Sequence, residues 1–595
     1  MKKKMTAILV IVFITIVCLI NFNENRWTVQ KVPEAAWQPD GMKVELLSKP
    51  YGINSDSPAF SWYVGRNGEV CNQEAYQILL AKTYRQAEKG EYILDTGWQE
   101  SKNNTYVKIK NIEQVLSDND IFWWKVRVKD EEGNISNYSE PQCLSTKVGD
   151  EWESLDGIWN EEKSEYCFFR TEFKGKNKSV EKAILNVTAL SPEETRQYVF
   201  NVYLNGEYVG SGPARLKQDK VNYNTFDVTQ YVKKNNVLGA ICYSNTNQTF
   251  MCQLTMFYKD GSKEVVVNSG RDIDKWKVLN GNEAYGKSDN MIGTSYYVAH
   301  TENISALTYP NGWLEEEYDD SLWNRPQVTY VFDKSKLYSY ETENMEKYDV
   351  VPKTVVDKGN GHYFVDFGKE IVGGIAIDID NDNQKPTEVV FRYGEELDEN
   401  GNVMYQMRTG NVYEEKWTLK SGEQKYENIG MKTFRYVDLY CENIKFSKDN
   451  IKGRAIRQAF DDAESEFVSS NQLLNDIYGL CKYTIKATNQ NLYVDSQSRE
   501  RGAYEGDLWI NMMASYAFED KYSLARVSLE YLEENRTWPA EYPMYAVMGA
   551  WQDYMYTGNI DSLVENYDNL KKNMQDVVID EDYGLIKNNY DDVGY

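Results

Sequence analysis

The sequence predicts a multidomain chain in which N-terminal β-sandwiches and a further β domain precede an α/α toroid of paired helices. Three observations predict it. At 595 residues the chain is too long for one hydrophobic core. From about residue 27 to about 455, short runs of alternating apolar and polar residues are separated by Gly, Asn, Asp and Ser clusters, the mark of half-buried strands. After Ser469-Ser470 the apolar residues recur at helical spacing instead.

Composition narrows function before any motif does. Asp plus Glu number 92 against 66 Lys plus Arg, a net charge of -26, and such a surface repels phosphate backbones, so no nucleic acid partner is expected. The 2 His, His300 and His362, stand far apart, which argues against a His triad or a multi-His metal site and leaves carboxylate chemistry available. No metal or cofactor is expected. Cys18 falls in the leader. The other seven, Cys71, Cys143, Cys167, Cys242, Cys252, Cys441 and Cys481, contain no Cys-x-x-Cys pair and read as buried small hydrophobes rather than a disulfide framework.

Residues 1–25 carry Lys2-Lys3-Lys4 and then an apolar run from Thr6 to Ile20, the pattern of a secretory signal or signal-anchor. No small-x-small cleavage site follows. The favoured reading is an uncleaved anchor with the rest of the chain outside the cell, so that membrane contact runs only through this segment. Residues 26–148 hold Ala59-Phe60-Ser61-Trp62-Tyr63-Val64 and Phe122-Trp123-Trp124-Lys125-Val126-Arg127-Val128, which suit a β-sandwich of fibronectin type III kind with a strand Trp in its core. Residues 149–344 contain Tyr198-Val-Phe200-Asn-Val202-Tyr-Leu204-Asn205-Gly206, a strand running into a two-residue hairpin turn, and read as a jelly-roll of the galactose-binding type. That domain is expected to brace the next one, with sugar binding as the other reading. Residues 345–455 form a third β domain. Within it Asp378-Ile-Asp380-Asn-Asp382 has the alternating acids of a calcium loop without its central Gly or closing Glu, so a solvated turn is expected.

Residues 456–595 read as five helices. One stripe is Leu473, Leu474, Ile477, Cys481 and Ile485, and another is Leu563, Tyr567, Leu570 and Met574. Three more helices lie between them, at 508–518, 524–531 and 544–556. The 508–518 segment is apolar nearly all round and is expected to be an inner, buried helix. Between the first two helices lies Asp495-Ser-Gln-Ser-Arg499-Glu500-Arg501-Gly-Ala-Tyr504-Glu505-Gly506-Asp507, far more charge than a helix connection needs. Cleaving a glycosidic bond takes one carboxyl to protonate the leaving oxygen and a second carboxylate to activate water or attack carbon. Glu500 is the candidate acid, and Asp495 and Asp507 are candidates for gripping sugar hydroxyls. Tyr504 and Trp551 could stack on a ring. The competing reading is a salt-bridge cluster in which Arg499 and Arg501 neutralise the acids.

The spaced residues Asp495-x-x-x-Arg499-Glu500-x-x-x-Tyr504-x-Gly506-Asp507 resemble the signature of bacterial alpha-L-rhamnosidases, usually Asp-Cys-Pro-x-Arg-Glu-x-x-x-Trp-x-Gly-Asp. Phe367-Gly368, Gly394-Glu395, Asp398-x-x-Gly401 and Phe434-Arg435-Tyr436-Val437 are similar to the concanavalin-like β domain that precedes the catalytic six-hairpin toroid in that family. The resemblance implies an inverting glycosidase for terminal alpha-L-rhamnose. It implies Glu500 as general acid and Asp495, Arg499, Tyr504 and Asp507 around the sugar, with Trp551 matched only loosely. Ser496 and Gln497 stand in place of the usual Cys-Pro, and Tyr504 in place of Trp. Six hairpins need about twelve helices of about ten to fourteen residues, whereas roughly 140 residues follow Ala455. The expectation is therefore a toroid truncated before the general base, and a chain inactive as written. Two other readings stay open: a six-hairpin glycosidase for another sugar, and a non-catalytic cell-surface carbohydrate-binding protein.

Overall fold

The computed structural model describes residues 37–587, apart from 67–68, 191–195, 197, 216–219, 288–291, 298, 300–301, 539–540, 576–577, 581 and 583. The apolar segment expected to anchor the chain, and His300, lie outside the described residues. Among those residues no helix is long and apolar enough to cross a membrane.

The first domain packs two antiparallel sheets. One contains Asp40–Val44, Ala59–Tyr63 and Val107–Lys108; the other is built on Gln73–Ala81, Ile121–Asp130 and Gln142–Ser145. Alternation along Ile121–Asp130 sends Phe122, Trp124, Val126 and Val128 into the core. There the ring of Trp124 meets Phe60 edge-on at 4.8 Å. Its indole N–H donates to Gln142 at 2.9 Å, so the polar tip of the ring is satisfied.

In the second domain a sheet carrying Val180–Ala189, Val221–Asp227 and Phe250–Tyr258 faces one carrying Tyr166–Phe173, Phe200–Leu204 and Asn236–Tyr243. Phe169, Phe200, Phe250, Trp159 and Trp276 fill the space between them. The hairpin foreseen at Asn205-Gly206 is present: both residues have positive φ, 55° and 89°, as a two-residue turn matched to the strand twist requires.

The third domain is an eight-stranded sheet whose spine is the 20-residue strand His362–Asn381. At Gly373 that strand pairs with Lys432 on one side and Ala455 on the other, at a φ of 152°. A Cβ there would lie 2.0 Å from the Arg454 carbonyl oxygen, so only glycine fits. Asp378 and Asp380 lie within this strand rather than in a turn, and Asp378 pairs with Lys425 at 2.7 Å. The alternation of acids there is that of a strand face, polar toward water and apolar toward the core.

A buried polar cluster joins the second and third domains. The Glu302 carboxylate accepts from the backbone N–H of Ile429 at 3.0 Å and of Gly430 at 2.8 Å, and from the Asn428 amide at 2.9 Å. Glu302 N–H in turn donates to Glu415 at 3.0 Å, and Lys432 Nζ donates to the same carboxylate at 2.8 Å with both side chains fully buried. Burial raises the pKa of Glu302 above the ordinary carboxylate range. The outcome is a fixed 428–431 loop.

The helical part comprises α1 (Gln472–Thr488), α2 (Glu505–Phe518), α3 (Ser523–Glu534), α4 (Tyr542–Thr557), α5 (Ile560–Glu565) and α6 (Tyr567–Gln575). The fifth predicted helix is thus two. Leu508, Met512, Leu529, Ala546, Ala550 and Leu570 make a common core. α2 is less enclosed than its composition predicted: Ile510 stands exposed on its outer side. The α1 stripe is corrected more sharply, since Leu473, Leu474 and Ile477 are exposed and only Ile485 of the helix is buried. Helical spacing shows which residues share a face, whereas cover for that face depends on what packs there, and α1 touches the β sheet in its C-terminal half, where the Tyr483 hydroxyl donates to the Glu370 carbonyl. Among the described residues no disulfide joins the cysteines; Cys481 is exposed and Cys71 half-buried, against the expectation that all are buried.

Replacing Lys432 by Met keeps the volume and leaves Glu415 buried without its cation. This should destabilise the β domains by about 3–5 kcal/mol, read as a lowered thermal midpoint, and adding Glu415→Gln should restore part of the loss.

Candidate active site

The segment 489–504 between α1 and α2 is neither helix nor strand, so its backbone groups need other partners. Five consecutive carbonyls find them in side chains. Gln497 accepts from Arg501 Nε at 2.8 Å, and Ser498 from the Tyr297 hydroxyl at 3.0 Å and the Asn411 amide at 2.9 Å. Arg499 accepts from the Thr294 hydroxyl at 2.6 Å, Glu500 from Arg196 Nη1 at 2.7 Å, and Arg501 from Arg215 Nη2. Apart from Arg501 and Asn411, every donor belongs to the second β domain. That domain braces the charged loop.

Arg501 is a structural bolt rather than a neutraliser of acids. It is 1% exposed, has a left-handed backbone (φ 53°), and lies over the Tyr297 ring at 4.2 Å. Its Nη2 donates to the Met431 carbonyl at 2.8 Å, tying the loop to the segment that Glu302 fixes.

The loop brings the predicted acids together. Glu500 is buried, with Oε1 beside Arg499 and Oε2 accepting from the Tyr504 hydroxyl. Asp495 Oδ1 accepts from Gly502 N–H at 2.8 Å and Oδ2 from the Ser496 hydroxyl at 2.8 Å, while Arg499 lies 3.8 Å away. Arg499 itself reaches toward solvent. Asp507 sits on the first turn of α2, where free N–H groups favour an acid. Even so its pKa is raised, first by burial and then by the negative charge of Asp495 and Glu500. Burial and the hydrogen bond to Glu500 likewise push the Tyr504 hydroxyl up, so it stays a donor.

Trp551 is not brought to this cluster. It is 53% exposed on α4 with its ring against Tyr554, and no hydrogen bond or ring contact joins it to the loop. The aromatic that stands beside Tyr504 is Trp538, 42% exposed with ring centroids 6.3 Å apart. Sequence reading missed it because it lies in a connection with no periodicity. Its only signal was Glu505, a buried acid of the motif that accepts from Thr537 N–H at 3.0 Å and from the Thr537 hydroxyl and so fixes that connection. Sequence reading also missed Arg196, Arg215, Thr294 and Tyr297, which lie about 200 to 300 residues upstream.

The model of the Rha78A-like N-terminal immunoglobulin domain matches residues 39–149, that of the bacterial alpha-L-rhamnosidase concanavalin-like domain 357–457, and that of the bacterial alpha-L-rhamnosidase six-hairpin glycosidase domain 462–594. Two alpha-L-rhamnosidases of Formosa agariphila are 25% and 22% identical over 84% and 89% of this chain. The chain spans 55% and 60% of their lengths. Among solved structures, the alpha-L-rhamnosidase from Dictyoglumus thermophilum superposes with a TM-score of 0.75 at 21% identity, covering 90% of this chain and 64% of that one. The Streptomyces avermitilis alpha-L-rhamnosidase complexed with L-rhamnose superposes with a TM-score of 0.66 at 16% identity, covering 92% and 78%. At these identities the superpositions establish the shared fold.

A raised carboxyl pKa predicts a sign. Wild type should lose stability as pH rises through the Asp507 pKa, because charging it beside Asp495 and Glu500 is harder in the folded chain than in the unfolded one. Asp507→Asn should therefore raise the thermal midpoint at pH 7, and the gain should vanish toward pH 4.

Proposed function

This chain belongs to the bacterial alpha-L-rhamnosidase family, and on that premise we propose that it supplies the general acid and the sugar-gripping residues of an inverting glycosidase releasing terminal alpha-L-rhamnosyl groups. The observation that carries the reading is the convergence of Glu500, Asp495 and Asp507 on one braced loop, with a Tyr and a Trp alongside. An ion-pair cluster built for stability would neutralise its acids, whereas among the described residues the solvent-reaching Arg499 is the one cation that pairs with Asp495 and Glu500.

Glu500 acts as the acid, giving its proton to the leaving glycosidic oxygen as the substrate displaces Tyr504 or Arg499 from its carboxyl. Asp495 and Asp507 accept from ring hydroxyls, and charge-assisted bonds of that kind orient the sugar. Trp538 and Tyr504 offer an apolar face against which the C5 methyl of a deoxysugar is favoured over a hydroxymethyl group. Inversion further requires a second carboxylate about 6.5–9.5 Å across the ring to activate water; none of this chain's residues is assigned that part. The rhamnose in the Streptomyces avermitilis complex supports the sugar class.

The test is Glu500→Gln in the longest polypeptide the reading frame encodes, assayed on an aryl alpha-L-rhamnoside. Turnover should fall about 10²–10⁴-fold with rhamnose binding retained. Unchanged turnover would remove Glu500 from the mechanism. Binding without turnover in the unsubstituted protein would identify a carbohydrate-binding protein instead.

A further inference from the structure

Against the acid loop three guanidinia converge. Arg196, Arg215 and Arg501 line a single small cavity of about 40 Å³, together with Gln490, Asn491 and Gln497. Among the described residues no carboxylate lines it. Among the described residues none of the three arginines makes a salt bridge. Their partners are the carbonyls of Glu500, Arg501, Gln497 and Met431, with the Tyr531 hydroxyl on Arg215. These bonds leave donors over. Arg501 Nη1 in particular is out of contact with water and has no hydrogen-bond partner, on a side chain that is itself almost wholly buried.

Unpaired cations with little access to water are costly, and the cost falls when a counter-charge completes their hydrogen bonds. Burial pushes the Arg215 guanidinium down to about 10, and Arg196 and Arg501 push it in the same direction, so the three groups repel one another across the cavity. A water needs only about 10–15 Å³ of such space, so this cavity has room for an ion larger than water. A sugar ring is too large for it.

We propose that this cavity is a binding site for a monatomic anion of halide size, chloride under ordinary conditions, held by Arg196, Arg215 and Arg501. The bound anion draws the three guanidinia together. Because Arg196 and Arg215 also hold the carbonyls of Glu500 and Arg501, it locks the acid loop through its backbone.

The site can be tested without any turnover assay, so its fate is separate from that of the glycosidase reading. The thermal midpoint of the chain is measured in sodium chloride, sodium bromide and sodium gluconate at matched ionic strength and pH. The halides should raise it by about 2 °C or more over gluconate, and Arg215→Gln should abolish the difference. Equal midpoints in the three salts, or a halide effect undiminished in Arg215→Gln, would overturn the assignment. Crystals of the unsubstituted chain grown in bromide provide a readout that no misfolded variant can confuse. An anomalous peak within hydrogen-bonding reach of Arg501 Nη1 supports the site, and a cavity holding only water rejects it.

Discussion

A polypeptide loop that is neither helix nor sheet must still satisfy its buried carbonyls, and here that constraint organises the molecule. The acid loop presents carbonyls 497–501 in sequence, and each accepts a side-chain donor. Four of those donors, Thr294, Tyr297, Arg196 and Arg215, come from the second β domain. A fifth, Asn411, comes from the third. Arg501 closes the circuit by donating to Met431, in the segment whose position is set by Glu302. The β domains are thus part of the candidate site's framework rather than appendages to a helical catalytic domain. A loop held at five successive points has little freedom to let Glu500 drift, and fine placement of a reacting group is worth several kcal/mol of barrier.

The same loop concentrates charge that works against stability. Asp507 is buried beside Asp495 and Glu500, and burial first, then their negative charge, raises its pKa. Arg501 adopts a left-handed backbone that a non-glycine residue avoids. Both departures from comfort fall at the place where chemistry is assigned, as expected where binding groups are pre-arranged for a ligand. The balancing stabilisation sits elsewhere: in the aromatic-rich β cores and in the Glu302, Glu415 and Lys432 cluster.

Three relations were legible before any coordinates. Period-two alternation marks strands such as Ile121–Asp130 because side chains leave a strand on alternate faces. The Asn205-Gly206 turn could be read from chemistry alone, since few other pairs tolerate positive φ at both positions. The spacing from Asp495 to Asp507 put the acids in one connection between two helices, although the second helix starts at Glu505 and so takes Asp507 into its first turn. Where sequence reading erred, a residue's neighbours rather than its own pattern decided. Leu473 and Ile477 share a face that stays uncovered, and Asp378 belongs to a strand whose outer face meets water. Trp551, exposed on α4, has its ring against Tyr554.

By itself, then, the amino-acid sequence determined the kinds of element, their order, and which acids would gather between α1 and α2, because these follow from local periodicity and from spacing along one chain. Tertiary structure alone decided that Trp538 replaces Trp551 beside Tyr504, that Arg501 braces rather than neutralises, and that Arg196 and Arg215 meet it across some 300 residues. Those outcomes depend on distances between groups remote in sequence. They are set by how whole domains pack, and no local pattern of residues encodes them.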